Sequence, residues 1–131
     1  MLRTGCIKNP RRPEDGLRVS VMSRHTLADG VTPDPEITDA LFDEHWVILA
    51  PPPTLVGDYY KRGLSWGSFA VRYAKYLERE DVQPAVWRII ELAKTGNITV
   101  LCIEPSPEQC HRRLLAAACA TLDPALQVLI R

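Results

Sequence analysis

Two cysteines, a histidine and a pair of arginines crowd into one short stretch of this chain. Cys102 lies near the end of the apolar run Asn97-Ile98-Thr99-Val100-Leu101-Cys102-Ile103, and Cys110-His111-Arg112-Arg113 follows shortly after it. A thiolate is a nucleophile and a metal ligand, and an imidazole exchanges protons near neutral pH. Between them, Ser106 to Gln109 has the spacing of a capping box with Pro107 at the first helical position. A helix over 107–122 follows, closed by Pro124. Its N-terminus would present free N–H groups and partial positive charge, which favour anions and lower the pKa of a nearby thiol. His111 lies one turn before Leu114, Leu115 and Ala118, on the edge of the helix's buried side. Cys110 and His111 are therefore the candidate catalytic groups, with Cys102 beside them at the strand end.

Each of these residues also has a plainer reading. A cysteine in a central strand usually serves as a small core hydrophobe, and Cys102 and Cys119 fit that role. Cys110 is either a functional thiol or packs against Leu114; His111 is either a site residue or a hydrogen-bonded structural one. Adjacent helical residues diverge by about 100°, so Cys110 and His111 should not converge on one ion with Cys102. With no CxxC pair in the chain, no metal and no cofactor is expected.

Further along, Arg24 opens a long loop and suits an anion contact. Arg18 brackets the same strand end; a surface or salt-bridged position is its alternative. Both are candidate ligand-binding residues. Tyr60, in an aromatic group with Tyr59 and Trp66, could stack a base or sugar, whereas Trp66 starts a helical stripe and reads as core. Arg112 and Arg113 read as solvated arginines. No Walker loop, GxGxxG, HExxH or GxSxG motif occurs.

The elements that must position these groups follow from periodicity. Strands are expected at 2–8 and 17–22, with a turn-rich segment between them, and 23–37 reads as a long loop, a kind often functional. Residues 37–44 suggest a short helix, and 45–49 a buried strand or extended segment that Pro51-Pro52-Pro53 ends. Thr54 would cap a helix over 55–62. Trp66, Phe69, Ala70, Tyr73 and Leu77 form one amphipathic helical stripe, and Val86, Ile89, Ile90 and Ala93 another. The run 97–103, apolar on both faces, predicts a central strand parallel to a neighbour and covered on both sides. Residues 126–130 suggest a last strand. The fold class is α/β, one domain over 1–131 with an open, mostly parallel sheet and helices on both faces.

Composition sets the outer limits. With 131 residues the chain can bury a core without disulfide or metal. Its 16 basic and 16 acidic side chains give zero formal charge, which argues against bulk electrostatic binding to nucleic acid or an anionic membrane. No apolar run approaches the ~18 residues of a membrane span, and no signal-peptide pattern opens the chain. A cytoplasmic protein with its four cysteines reduced is expected.

Asp15-Gly16-Leu17-Arg18-Val19-Ser20-Val21 with Arg24 resembles a signature of the YeaO-like proteins, domain of unknown function 488. The likeness continues through Leu49-Ala50-Pro51, Tyr59-Tyr60-Lys61 and Trp66-x-x-Phe69-x-x-Arg72-Tyr73. It ends with Ile98-Thr99-Val100-Leu101-Cys102 and Cys110-His111-Arg112-Arg113-Leu114-Leu115. Many relatives carry a Trp-Pro-Arg-Gly-like stretch after the arginine that matches Arg24; here His25-Thr26-Leu27-Ala28-Asp29-Gly30 stands instead. The resemblance implies an α/β fold and no established activity.

Two functions from different classes fit the residues. One is an enzyme or binding protein for a small anionic ligand, such as a nucleotide or phosphate ester, held where His111, Cys110 and Arg24 meet. The other is a non-enzymatic protein-interaction module, suggested by the proline-rich loops, the aromatic residues and the neutral charge.

Overall fold

The computed structural model describes residues 1–131. Five strands form one sheet: β1 (Leu2–Cys6), β2 (Leu17–Ser20), β3 (Glu44–His45), β4 (Ile98–Cys102) and β5 (Val128–Leu129). Their order is β3-β2-β4-β1-β5, and every pairing is parallel. β4 is central, as its two-sided apolar run predicts, and all five of its residues are buried. It pairs β1 from Leu2↔Ile98 to Cys6↔Cys102, and β2 from Leu17↔Ile98 to Ser20↔Leu101. The carboxyl ends of these three strands therefore lie side by side.

The helices are α1 (Pro53–Lys61), α2 (Trp66–Leu77), α3 (Gln83–Thr95) and α4 (His111–Leu122). The strand order dictates where they go. β1 to β2 and β2 to β3 both move toward the β3 edge; β3 to β4 and β4 to β5 both move toward the β5 edge. Right-handed crossovers place connections that run in opposite directions on opposite faces of a parallel sheet. All four α-helices lie on the later connections, so they share one face. Phe69, Tyr73, Ile89 and Leu115 meet Val19, Ile98 and Val100 there in a single buried cluster. Both faces are covered, as expected, but α-helices cover only one. The other carries the loops 7–16 and 21–43 and one 3-10 turn, Pro13–Asp15.

A buried ion pair holds those loops down. Arg18 Nη1 donates to Asp15 Oδ2 at 2.6 Å, and both residues are only 2% exposed. Arg18 Nε donates to Leu41 O at 2.6 Å and Nη2 to Asn9 O at 3.0 Å, while Thr99 Oγ1 donates to Asp15 O at 2.7 Å. One guanidinium thus joins β2 to both loops. Gly16 makes the tight entry into β2: its φ is 63°, and a Cβ there would lie 2.0 Å from Asn97 O.

Several boundaries differ from those expected. β1 and β2 end at Cys6 and Ser20, and β5 holds only Val128–Leu129. Residues 37–43 form turns and bends rather than a helix, and Glu44 opens β3; Leu41 gives its carbonyl to Arg18, and Ile37, Leu41 and Phe42 pack against a second apolar cluster with Ile7 and Met22. After β3 the chain makes a 3-10 turn, Val47–Leu49, instead of a longer strand. α1 starts at Pro53, because proline suits the first helical position better than Thr54 suits the cap. α4 starts at His111: Ser106 Oγ accepts from the Glu108 N–H and Pro107 O from the Cys110 N–H, which makes local turns of the expected first helical turn.

Burial pushes the Asp15 carboxyl up, but the Arg12 N–H and the Arg18 guanidinium outweigh it and hold it below the usual 3.8. A carboxylate with a depressed folded pKa stabilises the fold above its unfolded pKa, and that contribution is lost as pH falls through the folded value. Asp15→Asn should cost about 3–5 kcal/mol at pH 7, since it leaves a buried guanidinium without its counter-charge. Urea unfolding should show this loss shrinking as pH drops below about 4. A variant as stable as the parent at pH 7 would contradict the strut role.

Candidate functional site

β2 and β4 are neighbours whose outgoing connections leave in opposite directions, one toward β3 and one past β1. That divergence opens a crevice at the strands' carboxyl ends, the place where open parallel sheets bind ligands. A cavity of about 820 Å³ lies there, in the size range of small-molecule sites. Its walls come from the loop after β2, from α1 and α2, and from the stretch between β4 and α4.

His111 ties the two sides of the crevice together. Its Nε2 lies 2.8 Å from Val21 O, just past β2, and its Nδ1 lies 3.5 Å from Cys102 Sγ, at the end of β4. A carbonyl only accepts, so Nε2 carries a proton and Nδ1 faces the thiol. The proton between Nδ1 and Sγ sits on one or the other, giving a thiol–imidazole or a thiolate–imidazolium pair. Tyr73 packs edge-on against the ring at 5.5 Å and fixes its plane.

The two thiols beside it are driven apart. The Cys110 thiol donating to Cys102 lowers the Cys102 pKa below the ordinary thiol value; the Ile103 and Glu104 N–H groups and Arg112 add to this against burial. Cys110 moves the opposite way, well above the usual range, because it keeps the proton it shares with Cys102 and is itself buried. Arg112 lies fully buried beside them. Its Nη1 donates to Glu104 O at 2.6 Å and to Cys110 Sγ at 3.4 Å, and its Nη2 has no partner.

Across the cavity, Arg24 is exposed and bonded only to a carbonyl, Gly30 O, at 3.0 Å. Lys61 also lines the space, and no carboxylate pairs with it. Of the two carboxylates in the lining, Asp34 is paired with Lys8 at 3.3 Å, and Glu104 accepts from the Tyr60 hydroxyl at 2.7 Å. The Tyr60–Glu104 bond joins α1 to the stretch before α4. Burial, and then Glu104, hold the Tyr60 phenol protonated, far above its usual pKa. Tyr59, Trp66 and Phe69 continue the aromatic wall, with ring centroids 5.0–5.9 Å apart along the chain of contacts from Tyr60.

Of the residues singled out by sequence, Cys102, Cys110, His111, Arg24 and Tyr60 all line this one cavity. Arg18 does not; it is consumed by the ion pair with Asp15. Arg112 is the opposite of the solvated arginine expected. With α4 starting at His111, residues 111, 112, 115, 116 and 119 form its buried face. Projecting Leu115, Ala116 and Cys119 back by one turn would have exposed that. Glu104 carries no distinguishing pattern in the sequence, and Lys61 stands out only as the end of the Tyr59-Tyr60-Lys61 likeness.

The geometric objection to a shared ion also fails. Cys110 is the extended residue before α4, with φ −134° and ψ 140°, so the 100° helical divergence does not apply to it. The ligand atoms of Cys102, Cys110 and His111 all lie within 4.8 Å of one another. All four cysteines are free and buried.

No helix is long and apolar enough to cross a membrane. The chain matches the family model described as DUF488-N3a, the active DUF488-N3 subclade, over residues 2–121. It belongs to that family, the YeaO-like domain of unknown function 488. No curated protein and no solved structure matches it.

The contrast between the thiols has a direct readout. Burial pushes Cys119 up to about 12, whereas Cys102 is lowered and lines the cavity. Limited treatment of native protein with iodoacetamide at pH 7.5 should label Cys102 well before Cys119, as mapped by peptide mass spectrometry. Equal labelling of the two would contradict the assignment.

Proposed function

We propose that this member of the YeaO-like family binds a nucleotide or a similar small phosphate ester in the crevice beyond β2 and β4. One observation carries this reading: a single cavity brings together Arg24, Lys61, an aromatic wall and the Cys102–His111 pair. Each part suits one part of such a ligand. Arg24 and Lys61 are the cations free to meet a phosphate, because the lining carboxylates already have partners. Tyr60 and its aromatic neighbours offer faces for a base. At the floor of the cavity, Cys102, its pKa lowered, is the polar group that meets the ligand, and His111 Nδ1 beside it is the partner for its proton. Arg112 supplies positive charge from behind the thiols, without entering the cavity lining.

The phosphate and the base are separable in a test. In calorimetric titrations with metal-free protein, adenosine monophosphate should bind, and adenosine should bind at least about tenfold more weakly. Arg24→Ala should weaken the monophosphate about tenfold or more, the worth of one charge-assisted hydrogen bond, and leave adenosine unchanged. Tyr60→Ala should weaken both. Equal binding of nucleoside and nucleotide, with no effect of Arg24→Ala, would overturn the reading.

A further inference from the structure

The geometry points to a thiolate–imidazole metal site formed by Cys102, Cys110 and His111, which takes Zn²⁺ and leaves its fourth position open to the cavity. This deepens the nucleotide reading and rests on it only for the occupant of that fourth position.

Three features of the site support it. The first is convergence. Cys102 comes from a strand end and Cys110-His111 from a helix start, yet their donor atoms lie within 4.8 Å of one another. The 3.5 Å between Cys102 Sγ and His111 Nδ1 is the separation of two ligands on a tetrahedral ion, given bonds of about 2.3 Å to sulfur and about 2.0–2.1 Å to nitrogen. The second is orientation. A ligating histidine generally donates its other ring N–H to a carbonyl or carboxylate, which fixes the tautomer. His111 Nε2 does this to Val21 O at 2.8 Å, leaving Nδ1 as the ligand atom, and Tyr73 holds the ring in place. The third is support for the thiolates. The buried Arg112 guanidinium donates to Cys110 Sγ at 3.4 Å and favours its thiolate.

The donor set selects the metal. Two thiolates and one imidazole suit a borderline-soft divalent ion such as Zn²⁺ and not Mg²⁺ or Ca²⁺, which prefer oxygen. Two protein thiolates neutralise the ion, and Arg112 then leaves the site positive. An anionic oxygen is the complementary fourth ligand, which is what a phosphate ester brings. The bound ion would act as a Lewis acid toward that oxygen. Binding needs both thiols as thiolates and Nδ1 free, so it releases two protons, the one on Cys110 and the one between Cys102 Sγ and His111 Nδ1, and metal affinity rises with pH.

The test uses metal alone, with no nucleotide present. Metal-free protein is titrated with Co²⁺ and then Zn²⁺. One Co²⁺ per chain should bind with a thiolate-to-cobalt charge-transfer band and the intense visible bands of a tetrahedral centre, and Zn²⁺ should abolish both. Cys102→Ser and Cys110→Ser should remove the charge-transfer signal or weaken binding by more than about 100-fold, beyond the effect of losing an outer-shell group. Cys119→Ser should change nothing. If a site variant does not fold, the parent gives a second reading: Zn²⁺ should protect Cys102 and Cys110 from alkylation, as mapped by mass spectrometry. Binding below one ion per chain, an octahedral spectrum, or no protection of the two thiols overturns the proposal. Because the adenosine monophosphate titration uses metal-free protein, loss of metal binding with nucleotide binding intact overturns this inference alone. The converse result overturns the nucleotide reading alone.

Discussion

One hydrogen bond organises the carboxyl end of this sheet: the imidazole of His111 to the carbonyl of Val21. It spans the gap between the chain leaving β2 and the first residue of α4, two segments with nothing else in sequence to join them. By taking the Nε2 proton it sets the tautomer, and so aims Nδ1 at Cys102. Since the ring is buried, an unmade bond there would leave a polar group without water, at a cost of about 1–3 kcal/mol. Tyr73 has the same dual attachment, with its ring on His111 and its hydroxyl donating to Leu49 O at 2.5 Å. The site floor is therefore continuous with the core and not a feature of a mobile surface.

The topology explains why the floor opens where it does. β4 is clamped between β1 and β2, so the chain after it must turn away toward β5, while the chain after β2 turns toward β3. The crevice is what remains between these departures. α1, on the path from β3 to β4, returns across its mouth, and Tyr60 closes one side through Glu104. The opposite face of the sheet contributes stiffness instead. Arg18 and Asp15 hold both long loops to it, so the loop carrying Arg24 leaves from an anchored strand end.

Much of this was legible in the residues. The two-sided apolar run at 97–103 reads as a central strand, and its junction with a helix start located the thiols and His111 at the sheet's carboxyl end. The stripes of α2 and α3 read directly from their spacing. What failed were inferences that needed tertiary hydrogen bonds. Ser106 and Pro107 satisfy a capping pattern, yet they close turns, and that shift of four residues turned Cys110 into an extended cap and Arg112 into a buried group. Residues 37–44 have helical spacing, but Arg18 claims the Leu41 carbonyl. The expectation of helices on both faces followed from β4 being buried on both; the covering of the second face depends on loops pinned by one ion pair, which has no periodic signature. Arg18 and Arg24 look alike in sequence, and only the fold separates the strut from the cavity cation.

The account stands on the crevice beyond β2 and β4 as the place where ligand binds, and amide chemical-shift mapping tests that location most directly. The comparison surface is the groove on α2 lined by Arg72, Lys75 and Arg79, which is also basic. On titrating the labelled protein with adenosine monophosphate, the account predicts shifts clustered at residues 22–30, 56–61 and 102–111. Shifts confined to the α2 groove, or none at millimolar ligand, would contradict it.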